Sequence, residues 1–351
     1  MKILIITAKY PPQRCGIGNY TSFLLDHLIK NKCEVKIITS GQRKKSKNIY
    51  NLIINSNFLD IFKIMNFINK WEPEIVHIQY APHSYKNNLF IVFLTYILFL
   101  KKKIFLFTWH EFFSKRTYVY YFLLLVIKPT VIVVRNNFKK KLNFIAKFIS
   151  PKITYIQSSV TLNFKNNFLQ KNLKNKFLKK KYKRLFIFYG FLFPHKNIEI
   201  ITKIINFNTD FVIISANIDK NNIYHKRIVR YFRKKEFAQN FKIQYLSDII
   251  LANALKFADG IILPFKEETG TWNTTINNAI ASKSFVLTTS NKKRGYYKKN
   301  NIYYSKFNNI KEMKNALNKY SGIKNRNLFQ NNEWDYIAKK HIKIYNDLCK
   351  S

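Results

Sequence analysis

Residues 2–28, KILIITAKYPPQRCGIGNYTSFLLDHL, are the most informative part of the sequence for the fold, because they combine a predicted strand, a loop and a helix in succession. Residues 3–7 are apolar throughout, which is typical of a strand covered by helices on both faces. The loop ends in two glycines, Gly16 and Gly18, and an amphipathic helix follows, whose apolar stripe consists of Tyr20, Phe23, Leu24 and Leu28. Glycines at such a point let the backbone approach a ligand, and the start of a helix favours an anion.

The glycine loop resembles a dinucleotide-binding fingerprint but lacks two of its parts. Gly16 and Gly18 supply the first two glycines of G-x-G-x-x-G, but Thr21 stands at the third position. The second apolar run ends in Thr39-Ser40-Gly41, without the acidic residue that would bind a ribose. The pattern therefore disfavours a nicotinamide oxidoreductase. It is still consistent with a loop whose backbone approaches a different ligand.

The same alternation of strand and helix continues along the chain. It predicts further strands in the first half at 35–39, 75–78, 104–108, 131–134 and 153–156. A polar, basic stretch at 161–184 follows, and the alternation then restarts with predicted strands at 185–189, 211–215, 243–246, 260–264, 285–289 and 302–304. The sequence thus predicts an α/β protein with two doubly wound, Rossmann-like parallel-sheet domains that face one another across a cleft. The expected limits are 1–165 for the first domain, 166–184 for a basic linker and 185–328 for the second domain.

The composition is strongly basic. The chain has 351 residues and a formal charge of +44, from 62 Lys plus Arg against 18 Asp plus Glu. Such a balance attracts anionic lipid, nucleic acid or phosphorylated substrates, but a compositional drift spread over the whole surface also explains it. No zinc-finger, RNA-recognition or basic-zipper pattern occurs, so no specific nucleic-acid partner is expected.

The most hydrophobic segment is LFIVFLTYILFL, residues 89–100, which three lysines follow. Twelve residues are too few to cross a bilayer as a helix, which needs about 20. A buried helix and an interfacial helix lying against lipid both fit this segment.

The cysteines and the N-terminus bear on the compartment. Cys15, Cys33 and Cys349 are too few and too scattered for a disulfide framework, and the N-terminus lacks the features of a secretory signal. Both observations favour a reducing, cytoplasmic setting.

Two groups of residues follow predicted strands, where a doubly wound sheet binds its ligand. His110 comes after the strand 104–108, and it is either a functional group of the cleft or a histidine hydrogen-bonded within its loop. His77 lies inside a predicted strand and is interpreted as a core residue.

In the second half, Gly190 and Lys196 lie in the loop YGFLFPHKN. A lysine here can reach phosphate oxygens, although 62 basic residues also allow chance placement. Glu267 and Glu268 lie in the loop after the strand 260–264, as cleft residues or as a solvated pair. A helix begins near Thr274, and the residues at its start can cap it or leave its N–H groups for a phosphate: Asn273, Thr274 and Thr275.

No D-x-D triplet and no suitably spaced His/Cys cluster occurs, so the sequence predicts no metal site.

Taken in order, six segments resemble glycosyltransferase family 4, a family of nucleotide-sugar enzymes with the GT-B fold. They are residues 2–28, EPEIVHIQY (72–80), IFLFTWHEF (104–112), LFIFYGFLFPHKNIEIITKI (185–204), ADGIILPF with NNAIASKSFVLTT (258–265 and 277–289), and EWDYIAKKHIKIYNDL (333–348). The last is similar to the closing helix that crosses back onto the first domain, here residues 329–351. The resemblance is weakest over 42–70 and 139–183.

The resemblance implies retaining transfer from a nucleoside-diphosphate sugar without a required metal or other cofactor. It implies that Gly16 and Gly18 approach the donor, that His110 lies near the transferred sugar and that Lys196 neutralises the diphosphate. Gly190 lies in the same donor loop. In the branch with a longer loop, Asn273, Thr274 and Thr275 would face the phosphates.

Two positions depart from the family pattern. Phe191 stands where the family has an arginine of the diphosphate pair. Asn278 stands where it has the glutamate that holds the ribose, and we expect Asn278 to contact the donor there. The earlier glutamate of that pair falls near Gly270; we expect Glu268 to replace it at the catalytic position and Glu267 to contact the donor.

The resulting expectation is a cytoplasmic glycosyltransferase, peripheral on the inner face of the membrane. Its expected partners are a nucleotide-sugar donor, a glycan or lipid-linked acceptor and an anionic membrane surface. The alternative is a catalytically silent GT-B protein that acts as a binding partner in glycan assembly.

Overall fold

The computed structural model describes residues 1–13, 15–41, 47–85, 89–111, 118–136, 138, 142, 152–164, 182–270, 272–325 and 333–350. The chain divides into two compact units, Met1–Ser159 with Asn331–Ser351, and Val160–Gln330. The predicted domain limits at 165/166 and 328/329 lie outside the described residues, as does the predicted linker as far as residue 181.

The first unit contains a seven-stranded parallel sheet in the order β3-β2-β1-β4-β5-β6-β7. Its strands are β1 Lys2–Thr7, β2 Glu34–Ser40, β3 Ile49–Ile53, β4 Ile75–Tyr80, β5 Phe105–Trp109, β6 Thr130–Val133 and β7 Ile153–Tyr155. β1 and β4 are the central strands and are almost wholly buried, as their continuous apolar sequences predict.

Five described helices flank this sheet: α1 Gly16–Lys30, α2 Phe58–Trp71, α3 Phe90–Leu100, α4 Tyr118–Val126 and, from the C-terminus, α10 Glu333–Lys350. Right-handed crossovers put α1 on one face and α2, α3 and α4 side by side on the other. The closing helix α10 packs on α1, where Trp334 stacks on Phe23 at 5.4 Å between ring centroids. The C-terminal helix therefore returns to the first unit, as the sequence predicts.

The second unit contains a seven-stranded sheet in the order β10-β9-β8-β11-β12-β14-β13. Its strands are β8 Arg184–Tyr189, β9 Asp210–Ser215, β10 Phe241–Gln244, β11 Gly260–Leu263, β12 Val286–Thr289, β13 Gly295–Tyr297 and β14 Ile302–Ser305. All neighbours are parallel except β13, which pairs antiparallel with β14 at the edge. Its helices are α5 Ile201–Ile204, α6 Ile223–Phe232, α7 Asp248–Phe257, α8 Thr274–Ala281 and α9 Ile310–Tyr320.

The prediction of two doubly wound sheets is confirmed, but it missed two edge strands. β3 contains an exposed asparagine and is mostly half-buried, so it lacks the apolar run that reveals a central strand. β13 has only three residues, none of them fully buried. β10 also begins two residues earlier than predicted, at Phe241. β3 and β13 escape the pattern because one side of an edge strand is not covered, whereas the edge strands β7 and β10 keep enough apolar residues to be predicted.

The apolar segment 89–100 forms helix α3. Its inner side is buried, through Ile91, Leu94 and Leu98, whereas Phe93 and Leu100 on its outer side are exposed. No described helix is both long and apolar enough to cross a membrane.

Candidate functional site

In the first unit, the candidate residue His110 directly follows β5, at the carboxyl ends of the parallel strands. Its backbone N–H donates to the carbonyl of Tyr80 at 3.0 Å, which ties it to the end of β4. The ring of Tyr20, from α1, meets the imidazole edge-on at 5.0 Å between centroids. Strand ends and helix α1 together therefore fix the position of this histidine.

A chain of hydrogen bonds sets the tautomer of His110. Its Nε2 lies 2.7 Å from Oε1 of Gln79, and the amide nitrogen of Gln79 lies 3.2 Å from Nε2 of His77. Thr108 Oγ1 is 2.8 Å from that same nitrogen, and Nδ1 of His77 is 2.7 Å from the hydroxyl of Tyr345. Because Oε1 of Gln79 only accepts, Nε2 of His110 carries the proton, and Nδ1 is the acceptor of its ring.

Burial keeps the histidines of this network neutral. It lowers the pKa of His110 to about 3, with smaller contributions from the charge of Arg135 and from His341. Burial likewise lowers the pKa of His341 to about 4 and that of His77 well below its ordinary value. The arrangement thus offers a neutral imidazole that hydrogen-bonds, rather than an imidazolium that donates charge. His77 is fully buried, which confirms its interpretation as a core residue.

Three residues of this site were not predicted from the sequence: Gln79, Arg135 and Tyr345. Gln79 is the second-last residue of the apolar strand β4. Arg135 follows β6, from where its Nε donates to the carbonyl of His110 at 3.3 Å. A polar residue at the end of a buried strand was the available signal for both. Tyr345 gave none, because it lies 268 residues from its partner His77.

The two glycines of the first loop differ in their surroundings. A Cβ on Gly18 would lie 2.7 Å from the carbonyl oxygen of Lys9, so this glycine is required by the chain's own packing. A Cβ on Gly16 would meet nothing within 4 Å. Only Gly16 therefore leaves open space at the start of α1. Thr21, at the third position of the fingerprint, donates its hydroxyl to the carbonyl of Ile17 within the helix.

In the second unit, Lys196 is a buried cation in the loop after β8. It is 8% exposed, and its Nζ lies 4.0 Å from the ring centroid of Phe265. Burial lowers its pKa to about 8, against the opposing charge of Glu267. The backbone N–H of Lys266 donates to the carbonyl of His195 at 2.8 Å, which joins the loops that follow β8 and β11. Burying an ammonium group costs free energy. A buried lysine with a lowered pKa is therefore commonly a functional residue.

The same loop meets the start of helix α8. Gly190 has a left-handed φ of +114°, and a Cβ there would lie 3.5 Å from the hydroxyl oxygen of Thr275. The hydroxyl of Tyr189 donates to the carbonyl of Thr275. The side chain of Asn273 caps α8 by accepting from the N–H groups of Thr275 and Ile276 at 3.0 and 3.3 Å. Of the two roles open to Asn273, the structure shows the capping role, whereas the predicted phosphate contacts of Asn273, Thr274 and Thr275 stay predictions.

The two glutamates of the loop after β11 have different surroundings. Glu267 is exposed, and its charge acts on Lys196. Glu268 accepts from the hydroxyl of Ser290 at 2.7 Å and from the N–H groups of Asn291 and Lys292 at 2.6 and 3.2 Å. Both oxygens of Glu268 thus hold the turn after β12, and its predicted catalytic role remains a prediction.

The two departures from the family pattern also have defined places. Asn278 is buried; its Oδ1 accepts from the N–H groups of Thr161 and Leu162, and its amide donates to the hydroxyl of Thr161. The amide therefore holds residues 161–162 of the same unit, and the predicted donor contact of Asn278 stays a prediction. Phe191 is exposed, and its ring lies 6.0 Å from that of Phe193.

Within the described ranges, no three His, Cys, Asp or Glu side chains come together as a group that could hold a metal ion.

Comparison with solved structures identifies the fold. The sucrose-phosphate synthase of Thermosynechococcus elongatus is similar at a TM-score of 0.74 and 12% identity, over 99% of this chain and 98% of that chain. The catalytic domain of starch synthase IV from Arabidopsis thaliana, bound to ADP and acarbose, is similar at a TM-score of 0.69 and 12% identity, over 100% of this chain and 99% of that chain. Anabaena Alr3699/HepE in complex with UDP-glucose is similar at a TM-score of 0.68 and 11% identity, over 99% of this chain and 95% of that chain.

These are glycosyltransferases of the GT-B type, and the chain has their fold over its whole length. No protein-family model matches the sequence, and a search of curated sequences finds no match.

Proposed function

We propose that the protein is a glycosyltransferase that moves a sugar from a nucleoside-diphosphate sugar, with retention and without a metal ion, to a glycan acceptor. The observation that carries the proposal is the buried Lys196, in a loop at the carboxyl ends of the strands of a GT-B unit. The departure of a nucleoside diphosphate leaves negative charge on its phosphate oxygens. A preorganised ammonium at low exposure stabilises that charge more than a solvated one would.

In this proposal the second unit holds the donor. Gly190 leaves room beside Thr275, and Lys196 supplies the cation for the diphosphate. Two structural neighbours were solved with ADP and with UDP-glucose, which supports a nucleoside-diphosphate ligand. Glu267 contacts the donor from the neighbouring loop, and Glu268 and His110 are assigned to the catalytic step.

The first unit supplies a neutral hydrogen-bonding group. His110 donates its Nε2–H to Gln79, so its Nδ1 is available to accept from a hydroxyl of the sugar. Gly16, which has open space at its Cβ position, lets the backbone approach the donor. This role needs no titration of His110, because its pKa of about 3 keeps it neutral.

The acceptor in this proposal is a lipid-linked or cell-surface glycan, and the protein works in the cytoplasm as a peripheral protein on the inner face of the membrane. The net charge of +44 supports this setting, since the inner leaflet is anionic.

The test is a screen of UDP-, GDP- and ADP-sugars by thermal stabilisation and by slow hydrolysis of the donor. We expect at least one donor to stabilise the protein, and Lys196→Ala to lower hydrolysis by about 10²–10³-fold. The matched control is Lys203→Ala, which removes an exposed lysine of the same unit and leaves hydrolysis unchanged. No response to any nucleotide sugar would falsify the proposal.

Two finer parts of the proposal have their own readouts. NMR of the released sugar reports its anomeric configuration, and inversion would contradict retention. Hydrolysis that persists in excess EDTA supports metal independence, and its loss, with recovery on adding a divalent ion, would contradict it.

The second candidate is a catalytically silent GT-B protein that binds partners in glycan assembly. Phe191, in the place of a cation, and Asn278, whose amide holds residues 161–162, favour it. It predicts intact partner binding with no response in the same donor screen.

A further inference from the structure

Helices α2, α3 and α4 of the first unit have an apolar outer side as well as an apolar inner side. Their inner residues belong to the core beneath, whereas eight large apolar side chains point outward from the three helices. These are Phe58, Leu59 and Phe62 on α2, Phe93, Phe99 and Leu100 on α3, and Val119 and Val126 on α4. Phe62 is 72% exposed, Leu100 75% and Val126 67%. We propose that this apolar face inserts into the surface of an anionic lipid bilayer.

The outer apolar residues of α2 and α3 are in contact, and α4 packs beside α3. The rings of Phe58 and Phe93 lie 5.0 Å apart and join α2 to α3. The hydroxyl of Tyr96 donates to the carbonyl of Leu123 at 2.9 Å and joins α3 to α4. A contiguous exposed patch of this kind marks an interaction surface, whereas scattered apolar residues do not.

The charges around the apolar face fit an anionic partner. Lys63 on α2 is exposed, Lys101 and Lys102 follow α3 and are exposed, and Lys128 follows α4. The three helices contain one acidic residue, Asp60, and it is buried and accepts from the N–H groups of residues 54–56. The helices themselves carry no exposed carboxylate, although the exposed Glu72 directly follows α2. Apolar side chains bordered mainly by lysines are the pattern of a surface that lies in a lipid interface.

The dimensions favour a helix lying on the membrane. At 1.5 Å per residue, the 11 residues of α3 extend about 16 Å, against about 30 Å for the bilayer core. A second copy of the chain is a poorer occupant, because each copy carries +44 and the lysines of two such faces would repel.

The inference deepens the membrane association of the proposed function but does not depend on sugar transfer. Charge alone predicts binding that disappears at about 1 M salt, where the Debye length is about 3 Å. Insertion of apolar side chains predicts a fraction of binding that survives this salt.

The experiment is co-sedimentation of the full chain with phosphatidylcholine vesicles, with and without phosphatidylglycerol, at low and high salt. We expect binding that needs the anionic lipid, part of which persists at high salt. The double variant Phe62→Glu/Leu100→Glu should bind at least about tenfold more weakly, because two buried apolar contacts are lost. The matched control is Ile223→Glu, which changes an 85% exposed residue on α6 of the second unit and should leave binding unchanged.

Three further readouts keep the outcomes separate. Unchanged melting of the double variant shows that it folds, and unchanged donor hydrolysis in solution separates this face from the catalytic machinery. Vesicle binding equal to the wild type in the double variant, or complete release of the wild type at high salt, overturns the inference. So does a dimer, measured by light scattering, that the double variant dissociates, because the face is then an interface between copies.

Discussion

The two units use the same kind of sheet to hold opposite kinds of polar group. In the first unit, His110, Gln79 and His77 form a neutral network that ends at Tyr345 on the closing helix. In the second unit, the loop after the first strand, β8, holds a buried cation, Lys196. Each sheet brings its loops to the carboxyl ends of its strands, so topology fixes where a site lies. Whether the polar group of a site is neutral or charged then depends on the residues that surround it.

The units also differ in what they expose. The outer side of α2, α3 and α4 is apolar, whereas the outer side of α6 in the second unit is mostly basic, through Lys226, Arg227 and Arg230. Two units with the same kind of fold can therefore differ both in their polar site residues and in their exposed surfaces.

The largest expected effect is a loss of folding stability in one unit at a time, on removal of a buried carboxylate. Asp210 is fully buried and accepts from Arg184 Nε and Nη2 at 2.7 and 2.8 Å, so Asp210→Ala should destabilise the second unit by about 3–5 kcal/mol. Asp60→Ala should destabilise the first unit by about 1.5–3 kcal/mol, because backbone N–H groups are its partners.

Urea unfolding followed by circular dichroism measures both effects. If each unit unfolds by itself, each variant shifts a different transition. Equal shifts of one common transition would contradict this difference between the units.

The next effect tests whether Lys196 is held at a cost to stability. Its pKa of about 8 lies below the ordinary value of 10.5, so the folded state binds the proton less tightly than the unfolded chain. This penalty is complete below pH 8 and disappears as the pH rises to about 10.5. Lys196→Met should therefore be more stable than the wild type at neutral pH, by up to about 3 kcal/mol, and should lose stabilisation by the donor.

Melting temperatures of the two proteins between about pH 7 and pH 10 measure this difference. A gap that does not shrink as the pH rises would show that Lys196 is not destabilised by its burial.

A third prediction separates the two glycines of the opening loop. Gly18→Ala should destabilise the first unit by about 1–3 kcal/mol, since its Cβ would overlap the carbonyl oxygen of Lys9. Gly16→Ala meets open space and should fold normally, which makes it the matched control. Thermal melting compares them, and equal stability would show that the contact at Gly18 relaxes freely. If Gly16 approaches the donor, Gly16→Ala still weakens donor binding.

The smallest effect tests how the first unit keeps His110 neutral. Gln79→Glu replaces the carbonyl acceptor with a carboxylate and should raise the pKa of His110 by at least about one unit. Gln79→Met is the uncharged control and should leave that pKa low. NMR titration of the histidine ring protons, assigned with a His110→Asn variant, measures the shift. An unchanged pKa in Gln79→Glu would contradict the hydrogen bond that sets the tautomer.

The features that depend on local patterns could be predicted from the sequence. Uniformly apolar runs identified the buried parallel strands, and their order with the helices predicted two doubly wound sheets. Residues that directly follow such strands, including His110 and Lys196, could be assigned to the carboxyl ends, because that position is fixed once the strand is known. The edge strands β3 and β13 escaped, because a half-covered strand needs no apolar run.

Contacts between side chains that are distant in the sequence depend on how the elements pack in the folded chain. The hydrogen bond between His77 and Tyr345 joins residues 268 positions apart, and the amide of Asn278 reaches residues 161–162. Likewise, the sequence showed a pair of glycines, but only the fold distinguishes them. A Cβ on Gly18 would overlap the carbonyl oxygen of Lys9, whereas a Cβ on Gly16 would meet no other atom within 4 Å. Periodicity along the chain records which side of an element is buried, whereas the partner of each polar group depends on how distant elements pack. That packing also sets the burial that makes His110 neutral and lowers the pKa of Lys196.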